Sequence, residues 1–153
     1  KEKKEELDQF IKKTRVANIV PVKETSHFIS LIKKTITDNN INISNCGFYI
    51  AQNLAKGLKK SFSHIAKNIL NEVFAKFKDL KPNTVLLATN TLKSMLVCLN
   101  IEDILENIKE GLNDKSPVMR EEILKLLNHF ASKKDNRTIS VMRSLLDRVV
   151  SLN

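Results

Sequence analysis

The sequence contains few residues that interrupt helices, with three glycines and three prolines among 153 residues. Glycine and proline are the residues that most often end helices and form tight turns. Hydrophobic residues make up 42% and charged residues 28% of the chain, a balance that excludes an intrinsically disordered protein. Most of the apolar residues recur at helical spacing. The composition therefore predicts an all-α fold.

The side chains that hold metals or act as nucleophiles are scarce and scattered: two cysteines, Cys46 and Cys98, and the isolated His27, His64 and His129. Neither cysteine has a further Cys or His at metal-ligand spacing, so we expect two free thiols in a reducing compartment. The HExxH, GxSxG, P-loop and Rossmann patterns are missing from the sequence. The sequence therefore predicts no enzyme activity, no cofactor and no metal site.

The sequence has no secretory signal peptide and no apolar run of the roughly 18 residues that a membrane helix needs. It carries 26 basic and 17 acidic residues, a net charge of +9, which predicts an acidic partner. The basic residues are spread over many helices, which argues against a membrane surface. The phenylalanines fall mostly on apolar stripes and are not interleaved with basic residues, which argues against nucleic acid. Charge alone does not choose among nucleic acid, an anionic membrane and an acidic protein surface, and a chain rich in Lys and Asn is also basic through its composition alone.

Apolar stripes separated by short polar breaks predict a series of helices. We expect Gly57 to lie at a helix end, Ser61 or Ser63 to cap the next helix, and Pro82 to end one helix and begin another. The residues expected to face the core are Leu7, Phe10, Ile11; Phe28, Leu31, Ile32, Thr35, Ile36; Cys46, Ile50, Ala51, Leu54, Leu58; Phe62, Ile65, Ala66, Ile69, Leu70, Val73, Phe74, Phe77; Ile101, Ile104, Leu105, Ile108 and Leu112.

The helices form pairs that recur at intervals of about 40 residues, the period of HEAT and armadillo repeats. Within the pairs, the turns centre near Asn40, Pro82 and Pro117. We therefore predict an α-solenoid of antiparallel helix pairs. Residues 1–20 form the second helix of a repeat, 21–58, 59–99 and 100–133 form helix pairs, and 134–153 form the first helix of a further repeat. The opening KEKKEEL, in mid-pattern and without an initiator Met, is typical of a piece cut from a longer protein.

The turns within the pairs carry polar or basic residues at their tips. In a solenoid these turns lie along one edge of the stack. We therefore expect Asn40, Lys81, Lys115 and Arg120 to form one ridge, which Lys1 and Lys3 would extend. A single exposed lysine in a turn means little, because every solvated turn needs polar residues. The recurrence along one edge is what indicates a binding surface.

The chain resembles a TOG domain, the tubulin-binding HEAT-repeat module of microtubule polymerases. Five stretches carry the resemblance in the family's order over residues 1 to about 130: KEKKEELDQF, IKKTITDNNINI, IAQNLAKGLKKSFSHIA, AKFKDLKPNTV and IEDILENIKEGLNDKSPVMREEILKLL. The third is the most specific, since it is similar to the family's LAxGLRxxFSxYA segment. The polymerase branch fits better than the CLASP-type branch, because the AKGL and FK…KP segments are typical of it.

The resemblance implies that the turns grip the side of an αβ-tubulin dimer, prefer its curved form, and promote microtubule growth or regulate microtubule dynamics. It implies no catalytic residues. When the tubulin-contacting positions of the family are carried over one by one, they fall on Lys1, Lys3, Asn40, Ile41, Lys81, Asn83, Lys115, Ser116 and Arg120. Two features depart from the family: the chain has no tryptophan, where the first turn of the family carries one, and Leu80 replaces a usual lysine.

The implied partners are the αβ-tubulin dimer and microtubule ends, with no nucleic acid and no membrane, and the implied place is the cytoplasm, on microtubules, the spindle or the centrosome. The piece itself is expected to be monomeric. The alternative is a HEAT-repeat scaffold that binds another protein and has no affinity for tubulin. Charge reversal in the turns separates the two, because a scaffold with another partner surface would tolerate it.

Overall fold

The structure is a computed structural model that describes residues 2–14, 25–132 and 136–151, and this part of the chain is helical without strands. The predicted all-α fold is confirmed. The helices are α1 (Glu2–Thr14), α2 (Thr25–Ile36), α3 (Ile41–Leu58), α4 (Ser63–Ala75), α5 (Pro82–Met95), α6 (Leu105–Leu112), α7 (Pro117–Ser132) and α8 (Asn136–Ser151), with short 3-10 helices at Lys59–Phe62, Lys76–Lys78 and Ile101–Ile104. They form two compact units, Lys1–Leu99 and Asn100–Asn153.

Unit 1 is built from two helical hairpins, α2–α3 and α4–α5, that stack in parallel. Helix α2 packs on α4, α3 packs on α5, and α1 packs on α3. Two polar contacts join corresponding positions of the hairpins. The Lys33 ammonium lies 3.2 Å from the Glu72 carboxylate, and the Gln52 amide donates to the Thr91 hydroxyl at 3.0 Å. Because equivalent helices run side by side in the same direction, the turns of both hairpins lie on the same edge of unit 1.

The core of unit 1 follows most of the predicted stripes, but Phe28 and Leu58 are only half-buried. All eight residues predicted to pack along the segment from Phe62 to Phe77 are buried. In α2, however, Leu31 is 44% exposed and Ile29 is buried in its place. The buried positions Ile29, Ile32 and Ile36 are three and four residues apart, which is the spacing of one helix face, and Leu31 lies off that face. Phe10 and Ile11 have side chains outside the described part.

Gly57 lies in the last turn of α3, which ends at Leu58, so its predicted place near a helix end is confirmed. The positive φ that follows the helix belongs to Lys59, at 50°. Its backbone N–H donates to the Ala55 carbonyl. Neither Ser61 nor Ser63 caps α4, since the chain enters α4 through a 3-10 turn without a side-chain cap. The backbone is already helical at the residue before α4, so the serine hydroxyls have no cap position to fill.

Unit 2 contains the 3-10 turn Ile101–Ile104 and helices α6, α7 and α8. A capping box starts it, in which the Asn100 N–H donates to the Asp103 carboxylate at 2.9 Å. The core residues Ile104, Ile108 and Ile123 are fully buried. Leu105 and Leu112, which the sequence predicted to face inward, are only half-buried. An ion pair between Arg137 and Glu102 ties α8 to the first turn of the unit.

The hairpin α2–α3 depends on a close approach at Gly47. A Cβ atom at this position would lie 2.8 Å from the Ile36 backbone nitrogen and 3.1 Å from the Thr35 carbonyl carbon. Both neighbours are backbone atoms, which side-chain rotation cannot move away. Glycine therefore sets the distance between the two helices, and with it the position of the turn that joins them.

We predict that Gly47→Ala destabilises unit 1. Alanine is the better helix former by roughly 1 kcal/mol, but overpacking against the α2 backbone costs about 1–3 kcal/mol, and rigid neighbours favour the upper part of that range. Urea unfolding followed by circular dichroism measures the difference. Lys56→Ala, on the exposed face of the same helix, is the control and should change stability little. A Gly47→Ala protein as stable as the control would contradict the close approach.

Candidate functional site

The three turns that join α2 to α3, α4 to α5, and α6 to α7 share one hydrogen bond. In each, an aspartate carboxylate accepts from the backbone N–H two residues later. The pairs are Asp38 with Asn40 at 2.8 Å, Asp79 with Lys81 at 2.9 Å, and Asp114 with Ser116 at 2.8 Å. Short polar side chains that bond to nearby backbone in this way replace a helix or strand bond and fix the path of a turn.

The residue that donates this bond stands directly before the next helix. Its carbonyl accepts from the backbone N–H four residues later in each case, from Ser44 at 2.9 Å, Val85 at 3.3 Å and Arg120 at 3.2 Å. The first helical residues are Ile41, Pro82 and Pro117. Proline suits this position because its missing N–H would have no helical partner there. The three turns are therefore versions of one structure.

The sequence predictions for these turns did not include the aspartates. Their signal is nevertheless visible, since the turns read DNNI, DLKP and DKSP. Each has Asp three positions before the first helical residue. The hydrogen bond explains this spacing, because the carboxylate reaches the N–H of the residue directly before the helix.

In the α2–α3 turn, the predicted contact residues are partly engaged within the protein. The Lys3 ammonium lies 3.1 Å from the Asp38 carboxylate, and the lysine side chain stays 64% exposed. The Asn40 side chain accepts from the Asn42 N–H at 3.0 Å and so caps α3. Ile41 is half-buried. The predicted contact Lys1 lies outside the described residues.

In the α4–α5 turn, the predicted contact residues face solvent. Lys81 and Asn83 are exposed, and the Lys81 side chain makes no cap hydrogen bond. Between Asp79 and Lys81 stands Leu80, which is 97% exposed. This turn thus presents a cation, an amide and an apolar side chain on a backbone that the Asp79 carboxylate holds.

In the α6–α7 turn of unit 2, Lys115 is exposed and Ser116 is half-buried. The Ser116 hydroxyl accepts from the Met119 N–H at 3.4 Å, a weak cap of α7. Arg120 bends back over its own turn, and its Nη1 donates to the Asp114 carbonyl at 2.6 Å. One guanidinium nitrogen is thereby used within the protein.

The structure therefore brings together two groups of the predicted residues. The first, which we call the turn edge, comprises Lys3, Asn40, Ile41, Lys81 and Asn83 on one edge of unit 1. The second comprises Lys115, Ser116 and Arg120 in one turn of unit 2. The ridge of all three turns that the sequence predicts stays a prediction.

Both cysteines are free thiols. Cys46 is buried with its sulfur 3.9 Å from the Asp8 carboxylate, and its burial raises the pKa of the thiol. Within residues 2–14, 25–132 and 136–151, no cluster of His, Cys, Asp and Glu side chains could hold a metal ion. No helix in this same part has the length and apolarity to cross a membrane.

The chain is similar to much longer proteins. It is 29% identical over 140 residues to Protein MOR1 of Arabidopsis thaliana, covering 90% of this chain and 7% of that protein. It is 32% identical over 100 residues to Protein mini spindles of Drosophila melanogaster, covering 65% and 5%. It is 24% identical over 131 residues to the spindle pole body component alp14 of Schizosaccharomyces pombe, covering 84% and 16%. The chain thus spans less than a fifth of these relatives. No family model and no solved structure matches it.

We predict that Asp79→Ala destabilises unit 1 by about 1 kcal/mol, the typical worth of a hydrogen bond that holds a helix start. Asp79→Asn keeps the acceptor oxygen and should lose much less. Thermal unfolding of both variants measures the difference. Equal stability of the Ala and Asn variants would show that the turn does not depend on this bond.

We predict that the pKa of Asp38 lies below its ordinary value of 3.8, because the Asn40 N–H and then Lys3 stabilise the carboxylate. Because the pKa of Asp38 is lower in the folded state than in the unfolded state, the charged carboxylate stabilises the fold fully at pH values above the unfolded pKa. This stabilisation of the fold is lost as the pH falls through the folded pKa. A carbon-detected NMR titration measures the value. Lys3→Ala should move the pKa only part of the way back, since the backbone N–H is the larger cause. A normal pKa in the unmodified chain would contradict the turn geometry.

Proposed function

We propose that this chain is a partial TOG-like HEAT-repeat domain that binds the αβ-tubulin dimer through its turns and so promotes microtubule growth or regulates microtubule dynamics. The observation that carries the proposal is the turn edge. It offers exposed basic and polar side chains on turns that share one aspartate-held backbone. Lys1 and the second group, Lys115, Ser116 and Arg120, belong to the same proposed surface.

The relatives support a microtubule-associated role. Two of their names refer to the spindle, as mini spindles and as a spindle pole body component, and a further relative is named centrosomal protein 224, of Dictyostelium discoideum. The similarity supports a TOG-family relationship without pointing to one particular domain. From these names we also propose a place in the cytoplasm, on the microtubule cytoskeleton of the spindle or centrosome.

We propose the same division into repeats that the sequence suggests: 1–20 as the second helix of a repeat, 21–58, 59–99 and 100–133 as pairs, and 134–153 as the first helix of another. The observed hairpins α2–α3 and α4–α5 support the first two pairs. The division of the chain between Leu99 and Asn100 supports the start of the third. We expect this chain to be monomeric.

The proposed chemistry is electrostatic attraction between a basic edge and an acidic protein surface. Exposed ion pairs contribute about 0–1 kcal/mol each, so no single lysine would suffice. Fixed turns lose little conformational entropy on binding, and several weak pairs can then add to a useful affinity. A stiff edge also contacts both tubulin subunits only at one curvature, and a difference in contacts is what selects one conformation over another.

The proposed activity is binding without catalysis. A second candidate, a HEAT scaffold for another protein, is favoured by one observation. Lys3 and Arg120 are partly engaged by Asp38 and by the Asp114 carbonyl. In a scaffold these cations would serve the fold, and the turns would need no partner.

We predict that the unmodified chain forms a complex with unpolymerised tubulin in size-exclusion chromatography at low salt, and that moderate salt weakens the complex because exposed charges are screened. The double variant Lys81→Glu, Arg120→Glu should lose the complex, with an affinity at least about tenfold lower, since two attractive contacts become repulsive.

The matched control is Lys93→Glu, Arg143→Glu, which makes the same change of charge at exposed positions on α5 and α8. Lys93 lies near the end of α5 away from the turn. The control should bind nearly as well as the unmodified chain. If both double variants bind alike, the turns are not the site. If the unmodified chain does not bind, the scaffold candidate replaces the tubulin proposal.

A further inference from the structure

The middle position of the three turns differs in chemistry while its surroundings stay the same. This position, one residue after the aspartate, holds Asn39, Leu80 and Lys115. All three side chains are exposed. A polar residue is thus sufficient to build the turn, and the fold itself does not require leucine at position 80.

The backbone around Leu80 is held on both sides. The Asp79 carboxylate accepts from the Lys81 N–H at 2.9 Å, and the Asp79 N–H donates to the Lys76 carbonyl at 3.2 Å. Pro82 then begins α5 with a fixed φ. A backbone held in this way has little freedom left to lose when a partner buries the side chain that it carries.

Basic residues flank this apolar side chain in the sequence. Lys78 and Lys81 are exposed, and Lys76 is half-buried. An exposed leucine between basic residues complements an apolar depression that has an acidic rim. This is the anatomy of a protein interface with an apolar centre and a polar edge.

We propose that Leu80 is an apolar anchor of the turn edge, which enters an apolar depression bordered by carboxylates on tubulin. The inference rests on the proposed function and adds to it a contact that does not depend on charge. At 97% exposure, nearly the whole leucine side chain is available for burial, and burial of apolar surface is the main favourable term in most protein association. The flanking lysines would supply attraction and orientation, and Leu80 would slow dissociation.

The test compares Leu80→Ala and Leu80→Lys by titration calorimetry with tubulin, at two salt concentrations and two temperatures. We expect Leu80→Ala to raise Kd about tenfold, as for the loss of an interface anchor. The Kd of the Leu80→Ala variant should depend on salt as the Kd of the unmodified chain does. The heat-capacity change on binding should be less negative for this variant, because less apolar surface is buried.

Leu80→Lys gives the sharper result, because an apolar anchor and a turn that acts by charge alone predict opposite changes in the Kd for tubulin. An anchor predicts weaker binding despite the added positive charge. A turn that acts by charge alone predicts equal or tighter binding to an acidic surface. The matched controls are Val97→Ala and Val97→Lys, at a 67% exposed apolar residue beyond the far end of α5, and they should leave Kd unchanged. Circular dichroism melting checks that all four variants are folded.

The outcomes separate this inference from the function on which it rests. If Leu80→Ala is neutral, or Leu80→Lys binds equally or more tightly, the anchor is wrong. The tubulin proposal survives that result if Lys81→Glu still weakens binding. If the unmodified chain does not bind tubulin, both fail together. If both Leu80 variants weaken binding and both Val97 variants do not, the anchor stands.

Discussion

The arrangement of the candidate site depends on one repeated interaction, the bond from a backbone N–H to an aspartate carboxylate in each turn. This bond fixes where the following helix begins and holds the turn without using the side chains at its tip. Asn39, Leu80 and Lys115 can therefore differ without disturbing the hairpins. A fold that keeps its turns constant in this way can vary its binding surface one residue at a time.

Positive charge in the turns has two distinct uses. The side chains of Lys3 and Arg120 bond to the Asp38 carboxylate and to the Asp114 carbonyl. The Lys81 side chain instead faces solvent, because its turn is held by the Lys81 backbone N–H. Net charge alone would count all three as equal contributions to a basic ridge. The geometry instead makes the α4–α5 turn the strongest candidate for direct contact, because there both a cation and an apolar side chain are exposed.

Helical periodicity predicted the all-α fold and the whole buried face of the segment from Phe62 to Phe77. A long apolar stripe at helical spacing identifies a single face of the helix as the buried one. The shorter α2 offered two faces to choose from, and packing against α3 and α4 selected Ile29 instead of Leu31. The positive φ of Lys59 could not be predicted, since Gly57 is the residue whose chemistry favours that conformation. The nine predicted contact residues could be named from the resemblance, but the internal partners of Lys3 and Arg120 required three-dimensional structure.

If tubulin contacts the edge formed by the turns, amide hydrogen exchange detects the contact without any substitution. We expect tubulin to slow exchange at residues 38–44 and 79–85, which hold the turns and the first turns of α3 and α5. Residues 55–62 and 93–99, at the opposite ends of the hairpins, should exchange as in the free chain. Slowed exchange at those opposite ends, with exchange in the turns unchanged, would show that tubulin binds elsewhere.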